Sequence, residues 1–171
     1  ANRLQADPWL NVPHIADDNY MRKFAQYVKD NLSPNLIPHI EYTHEAWNSN
    51  FVHNEHMQKM GIAQKLDQDA LLAGYKNYAK RSVEFFNIFD DVYGGQIKNG
   101  KKQFVRIIGG WDTRPDISSI ILAYADTYKH TDAIAIAPYI GGNLRGFRES
   151  KTVDDIFKLL TDKKSYRSLP K

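Results

Sequence analysis

Short apolar runs rich in β-branched residues alternate with longer stretches whose apolar positions recur every three or four residues, a pattern that predicts strands and amphipathic helices in turn. Pro8-Trp9-Leu10-Asn11-Val12-Pro13 reads as a brief strand held between prolines. Asp17 is the expected N-cap of a helix whose stripe is Tyr20, Phe24, Tyr27 or Val28, and Leu32, closed by Ser33-Pro34-Asn35. The second strand runs from Leu36 to Thr43. A long helical region follows, interrupted near Gly61 and Gly74, with Tyr75, Tyr78, Ala79, Ser82, Val83, Phe86 and Phe89 along one face until Gly94-Gly95 ends it. At that spacing the face is expected to pack on a sheet. Phe104 to Ile108 is the third strand, and Asp116 is expected to cap a helix with Ile117, Ile120, Ile121, Tyr124, Ala125 and Tyr128 inside. Ala133-Ile134-Ala135-Ile136-Ala137 reads as a strand buried on both faces. Thr152, with Asp155 three residues on, opens a last helix through Val153, Ile156 and Leu160.

Strands alternating with helices predict an α/β fold with a parallel sheet and right-handed crossovers. A doubly wound sheet stands alone at this length, whereas a complete (β/α)8 barrel needs about 250 residues. Four βα units make half a barrel. The 171 residues, 42% hydrophobic, suffice for one core and show no second block of different character, so residues 1–171 are expected to form a single domain. The net charge of +3 comes from 23 basic and 20 acidic residues and argues for neither a nucleic-acid nor a membrane partner. The basic patch from Lys98 to Lys102 contains Gly100 and is expected to be a solvated loop. The absence of cysteine excludes disulfides, thiolate metal sites and cysteine nucleophiles. No apolar run approaches the roughly 20 residues of a spanning helix, and no signal-like segment leads the chain. A soluble protein is expected, cytoplasmic or already processed, with secretion left open.

The chemistry concentrates in Ile37-Pro38-His39-Ile40-Glu41-Tyr42-Thr43-His44-Glu45-Ala46-Trp47-Asn48, where a β-prone run leads directly into an acid, a tryptophan and an asparagine. A barrel strand delivers catalytic groups to its C-terminal mouth in this way. Tyr42 to Asn48, with Asn11-Val12-Pro13-His14 before it and Ala135-Ile136-Ala137-Pro138-Tyr139 after it, resembles the middle of a clan of TIM-barrel glycoside hydrolases. The resemblance runs through nearly the whole chain. It implies that Glu45 is the general acid/base at the end of a fourth barrel strand and that the four strands here correspond to the third through sixth. His44 stands where the clan has an asparagine on the sugar 2-hydroxyl. The clan's nucleophile lies on a seventh strand, for which these four units hold no counterpart.

Glycoside hydrolysis ordinarily uses two carboxyl groups, about 5–5.5 Å apart for retention and about 6.5–9.5 Å for inversion. Glu41 shares a strand face with Glu45, but four residues at about 3.3 Å each hold the two roughly 13 Å apart, so Glu41 is expected to be a buried interior group partnered by His39 or Arg106. Asp112, after the next strand, is a candidate base or a turn cap before Arg114-Pro115, and Glu149 is expected to face solvent. A second copy of the chain is the remaining source. A half barrel leaves two sheet edges and its interior open, and a two-fold homodimer would close eight strands and bring two copies of Glu45 to one mouth.

His14, His44, Trp47, Asn48, Trp111 and Tyr139 all fall just past strand ends, where polar and aromatic groups suit the two kinds of surface on a sugar. Trp47 serves equally well as packing under its loop. His44-Glu45 lacks the second histidine of HExxH, since Asn48 occupies that position. His53 and His56 lack a definite third metal ligand and read as exposed loop residues. Gly141 to Gly146 with Arg145 lacks the Lys-Ser/Thr ending of a P-loop and more naturally borders a substrate cleft. The resulting expectation is a glycosidase acting on a poly- or oligosaccharide through Glu45, without metal or cofactor. A non-catalytic carbohydrate-binding or assembly half barrel, or part of a larger hydrolase, is the alternative.

Overall fold

The computed structural model describes residues 1–137, 152–155 and 157. The chain falls into two compact units, Ala1–Ile136 and Ala137–Lys171. The first contains β1 (Trp9–Val12), α1 (Asp18–Asn31), β2 (His39–Tyr42), α2 (Val52–Ala63), α3 (Ala70–Tyr93), a hairpin of β3 (Ile97–Lys98) and β4 (Lys101–Lys102), β5 (Val105–Gly109), α4 (Pro115–Ala123), a 3-10 segment Tyr124–His130, and β6 (Ala133–Ala135). In the second, the Thr152 N–H and hydroxyl donate to Asp155 at 3.1 and 2.9 Å, and the Asp155 N–H donates back to Thr152 Oγ1 at 3.2 Å. This is the reciprocal cap expected where the last helix opens, and residues 153–155 are helical. Ile156 and Leu160 lie outside the described residues.

The mixed α/β architecture read from the pattern is the one formed, with β1, β2, β5 and β6 side by side in a single parallel sheet. Spatial order follows chain order. Right-handed crossovers that always step in the same direction send their helices to the same face, and α3 accordingly packs on β2, β5, α1 and α4. The side chains of Val12, Ile40, Tyr42 and Ile108 alternate onto the helix-covered face and are at most 2% exposed. Trp9, Asn11, His39 and Glu41 occupy the other face, where Trp9 is 52% exposed.

Local chemistry sets the helix bounds. Asp17 accepts from the Tyr20 N–H at 2.7 Å and caps α1 as expected. The buried stripe, however, is Met21, Ala25 and Val28, with Tyr20 and Tyr27 outside, because the two tyrosines sit about a third of a turn away and keep their hydroxyls in water. Asp69 caps α3, and left-handed Gly94 (φ 74°) ends it through an N–H donated to the Asp90 carbonyl at 2.9 Å. The α3 stripe from Tyr75 to Phe89 is the packed face expected of it, although Val83 is only half-buried.

Gly61 and Gly74 do not interrupt the helices. The break lies at residues 64–69, where Lys65 turns left-handed (φ 55°), and the glycines stand inside α2 and α3 at the point where the two cross. A Cβ on Gly61 would lie 2.2 Å from the Ala73 carbonyl oxygen, and one on Gly74 2.9 Å from Gln58 Cγ. Their function is close approach.

The expected solvated loop at Lys98 to Lys102 is an exposed hairpin, its turn made by Asn99 (φ 52°) and Gly100 (φ 74°), the pairing that a two-residue turn of this hand requires. Asp116 is not the cap of α4. Arg114 takes that place without a side-chain bond, and Asp116 in the first turn grips the Arg114 guanidinium at 2.9 and 2.7 Å. The helix also stops at Ala123, because Ala125 and Asp126 adopt positive φ, which leaves Tyr128 54% exposed. β6 is likewise not buried on both faces. Among the described residues only β5 flanks it, and Ile134 and Ile136 are 42% and 50% exposed. No helix among the described residues is long and apolar enough to cross a membrane.

Candidate active site

In a parallel sheet every strand ends on the same edge, so the segments after β1, β2 and β5 meet there. They bring His14, then His44, Glu45, Trp47 and Asn48, then Trp111 and Asp112. The second segment is strongly constrained. Thr43 and Glu45 both hold positive φ, 52° and 40°, a conformation that non-glycine residues keep only where surrounding contacts impose it. Asn11 Nδ2 donates to the Thr43 carbonyl at 3.0 Å, and Asn48 holds Glu45: its side-chain amide donates to Glu45 Oε2 at 2.8 Å, and its backbone N–H donates to the Glu45 carbonyl at 2.9 Å. Asn54 secures the next residue by donating to the Ala46 carbonyl at 2.8 Å. Glu45 is left half-buried, with one carboxylate oxygen tied to Asn48.

Trp47 and Trp111 stack with ring centroids 4.8 Å apart and planes 10° apart, which joins the Glu45 loop to the Asp112 loop. Trp47 is only 5% exposed, so most of its surface goes into packing, while Trp111 is half-buried. Trp111 Nε1 and Asp112 Oδ1 are buried without a hydrogen-bond partner, and the Asp112 N–H donates to the Ile136 carbonyl at 2.7 Å. The turn before Arg114-Pro115 is closed by the backbone, the Arg114 N–H donating to the Trp111 carbonyl at 3.2 Å, and not by Asp112 Oδ1. Buried polar atoms left this way are costly unless a ligand or water completes them. His44 is exposed, with its ring edge against Phe51 at 5.3 Å, and the His14 carbonyl accepts from the Tyr42 hydroxyl at 2.7 Å. Tyr139, the Gly141 to Gly146 loop with Arg145, and Glu149 lie outside the described residues.

Glu41 is buried as expected, at 7% exposure, but its partners are neither His39 nor Arg106. Trp9 Nε1 donates to Glu41 Oε2 at 2.8 Å, His39 stacks on Trp9, and Arg106 lies in register with Ile40 on the opposite face, where it pairs with Asp132 at 3.0 Å. Gly109 makes room for the carboxyl: a Cβ there would stand 2.6 Å from Glu41 Oε1 and 3.2 Å from the Tyr78 hydroxyl, which accepts from the Gly109 N–H at 2.8 Å. Burial raises the Glu41 pKa against the opposing pull of the Trp9 and Asn11 hydrogen bonds, with the Glu45 charge adding to the rise. A raised carboxyl pKa contributes stability below its unfolded value that is lost as pH rises through the folded one. Glu41→Gln, which has no proton to give up, is therefore expected to lose less stability than the parent when the pH is raised from 5 to 7. Urea midpoints at the two pH values measure the difference, and equal pH dependence in both proteins would contradict the assignment.

Two histidines read as exposed loop residues stand elsewhere: His56, which is half-buried on α2, and above all His53. It is 9% exposed, with Nε2 buried and unpartnered, rather than on an exposed loop. The signal was present, since His53, Met57 and Gly61 recur at a spacing of four and all three are buried on one face of α2. Among the described residues no group of three histidine or acidic side chains is arranged to hold a metal ion. In comparisons with known proteins, no family model matches the chain, nor does any curated protein or solved structure.

Proposed function

We propose that this chain is a glycoside hydrolase-like half barrel acting on a poly- or oligosaccharide, with Glu45 as proton donor to the leaving oxygen. The observation that carries the reading is the stacked pair Trp47 and Trp111. It links two adjacent strand-end loops and holds beside it a half-buried carboxyl, pinned by Asn48, on one loop and a carboxylate with an unpartnered buried oxygen, Asp112, on the other. Trp111 is the platform for an apolar sugar face. Trp47 supports it from below, and His44 and His14 face the substrate hydroxyls. Asp112 serves as the second carboxylate.

A sheet whose four strands follow chain order, with helices on one face, suits half of an eight-stranded barrel better than a doubly wound sheet, whose order reverses at a switch point. Its uncovered face carries the 52% exposed Trp9 and the exposed Asn11 beside the buried carboxyl of Glu41. A second copy closes that face and completes the wall of the cleft. Reducing-sugar release from a panel of polysaccharides tests the function: release supports it, and a folded chain that releases nothing from any of them overturns it.

A further inference from the structure

Four of the six histidines stand in a row beside the Glu45 loop. Ring centroids are 6.1 Å apart from His44 to His53, 5.8 Å from His53 to His14, and 5.0 Å from His14 to His56. The four rings come from three places: the segment after β1, the segment after β2, and the first turns of α2. The central member is the most enclosed. His53 stacks on Phe51 at 5.0 Å with planes 16° apart, its Nε2 is buried without a partner, and its ring also contacts the Glu45 backbone carbonyl. A row differs from a convergent set, and among the described residues no three such donors are disposed around a shared ion. The ligand that a row of imidazoles takes up is the proton.

We propose that this row is a proton-sensitive latch, in which neutral His53 is a positioning residue that holds the Glu45 loop on α2 and a second proton on the row releases it. A single proton on the row meets no second imidazolium. Two place like charges about 6 Å apart in a partly dry setting, where repulsion is weakly screened. Burial first, then the charges of His14 and His44, lower the proton affinity of His53 against the pull of Glu45. Burial, His14 and Lys59 do the same for His56. The other charged groups on the cleft of about 450 Å³ that borders His14 and His56 are Asp17, Lys80, Arg81 and Glu84, two of each sign, so they add no net charge to oppose the row's repulsion. Because both histidines bind protons less well than the ordinary value of 6.5, the released form takes up more protons. The latch is intact above that value and weakens as pH falls below it.

The latch concerns loop position and is measurable without turnover; only its bearing on catalysis rests on the function proposed above. The test is tryptophan emission and far-ultraviolet circular dichroism from pH 7.5 to 5. A Trp9→Phe background is used, because His39 stacks on Trp9 and would quench it on its own account. The parent is expected to show a reversible change in emission from Trp47 and Trp111 with a midpoint below 6.5, at constant helix content. His53→Phe, which keeps the stack on Phe51 and takes no proton, is expected to abolish the change. His14→Gln, at a less enclosed position, is expected to move the midpoint upward and make it shallower, which keeps the idea testable should His53→Phe not fold. Emission that is flat with pH, or identical transitions in the parent and His14→Gln, would overturn the latch. So would zinc chloride at pH 7.5 reproducing the parent's change. Polysaccharide hydrolysis with flat emission removes the latch and leaves the functional reading; an emission change with no hydrolysis does the reverse.

Discussion

Glu45→Gln is expected to lower polysaccharide hydrolysis by roughly 10²–10⁴-fold while leaving the unfolding midpoint close to that of the parent. The amide is nearly isosteric with the carboxyl, and its oxygen still accepts from Asn48 Nδ2, so the bond that fixes the loop is retained. What is lost is the transferable proton. Reducing-sugar assays beside urea unfolding separate the two effects, and unchanged hydrolysis would remove Glu45 from the mechanism. Asp112→Asn is the informative companion. Comparable loss identifies Asp112 as the second carboxylate, whereas full activity in Asp112→Asn with none in Glu45→Gln assigns that role to the Glu45 of a second copy.

The largest effect on stability is expected at Gly61. A methyl there meets the backbone carbonyl of Ala73 at 2.2 Å, and its carbon at 2.4 Å, so no side-chain rotation relieves the clash and α2 must move off α3. Alanine recovers about 1 kcal/mol of helix propensity. Overpacking costs about 1–3 kcal/mol, the upper end where the atom met belongs to fixed backbone, and the net loss in Gly61→Ala is expected to be about 2 kcal/mol. The displacement also reaches the site, because α2 carries His53 and Asn54, the residues that hold the Glu45 loop. Urea midpoints of Gly61→Ala and Gly74→Ala measure it. The second change meets only the flexible Gln58 side chain at 2.9 Å and backbone from 3.2 Å, so it is expected to be milder. Equal midpoints in the parent and Gly61→Ala would show that the two helices do not cross where described.

These two sites also mark how far the sequence was legible. Much of the strand and helix placement followed from periodicity and caps: Asp17, Gly94 and the box at Thr152 and Asp155 act through bonds between neighbours in the chain, which local sequence specifies, although Asp69, the cap of α3, went unread. Glycine is ambiguous, because Gly61 read locally is a breaker and read in three dimensions is a contact surface. The end of α4 was illegible for a related reason, since nothing in Tyr124-Ala125-Asp126 announces two left-handed residues. At the site, Glu45, Trp47 and Asn48 were visible as a cluster within a single loop. The Trp47 and Trp111 stack, the His53 row and the Trp9 bond to Glu41 join segments tens of residues apart and emerge only from the register of the sheet.

Closure of the proposed half barrel by a second copy is tested most directly by the mass of the folded chain in solution. Sedimentation equilibrium at micromolar concentration is expected to return twice the 19.7 kDa of the chain. A folded species at 19.7 kDa that still hydrolyses polysaccharide would contradict closure by a second copy.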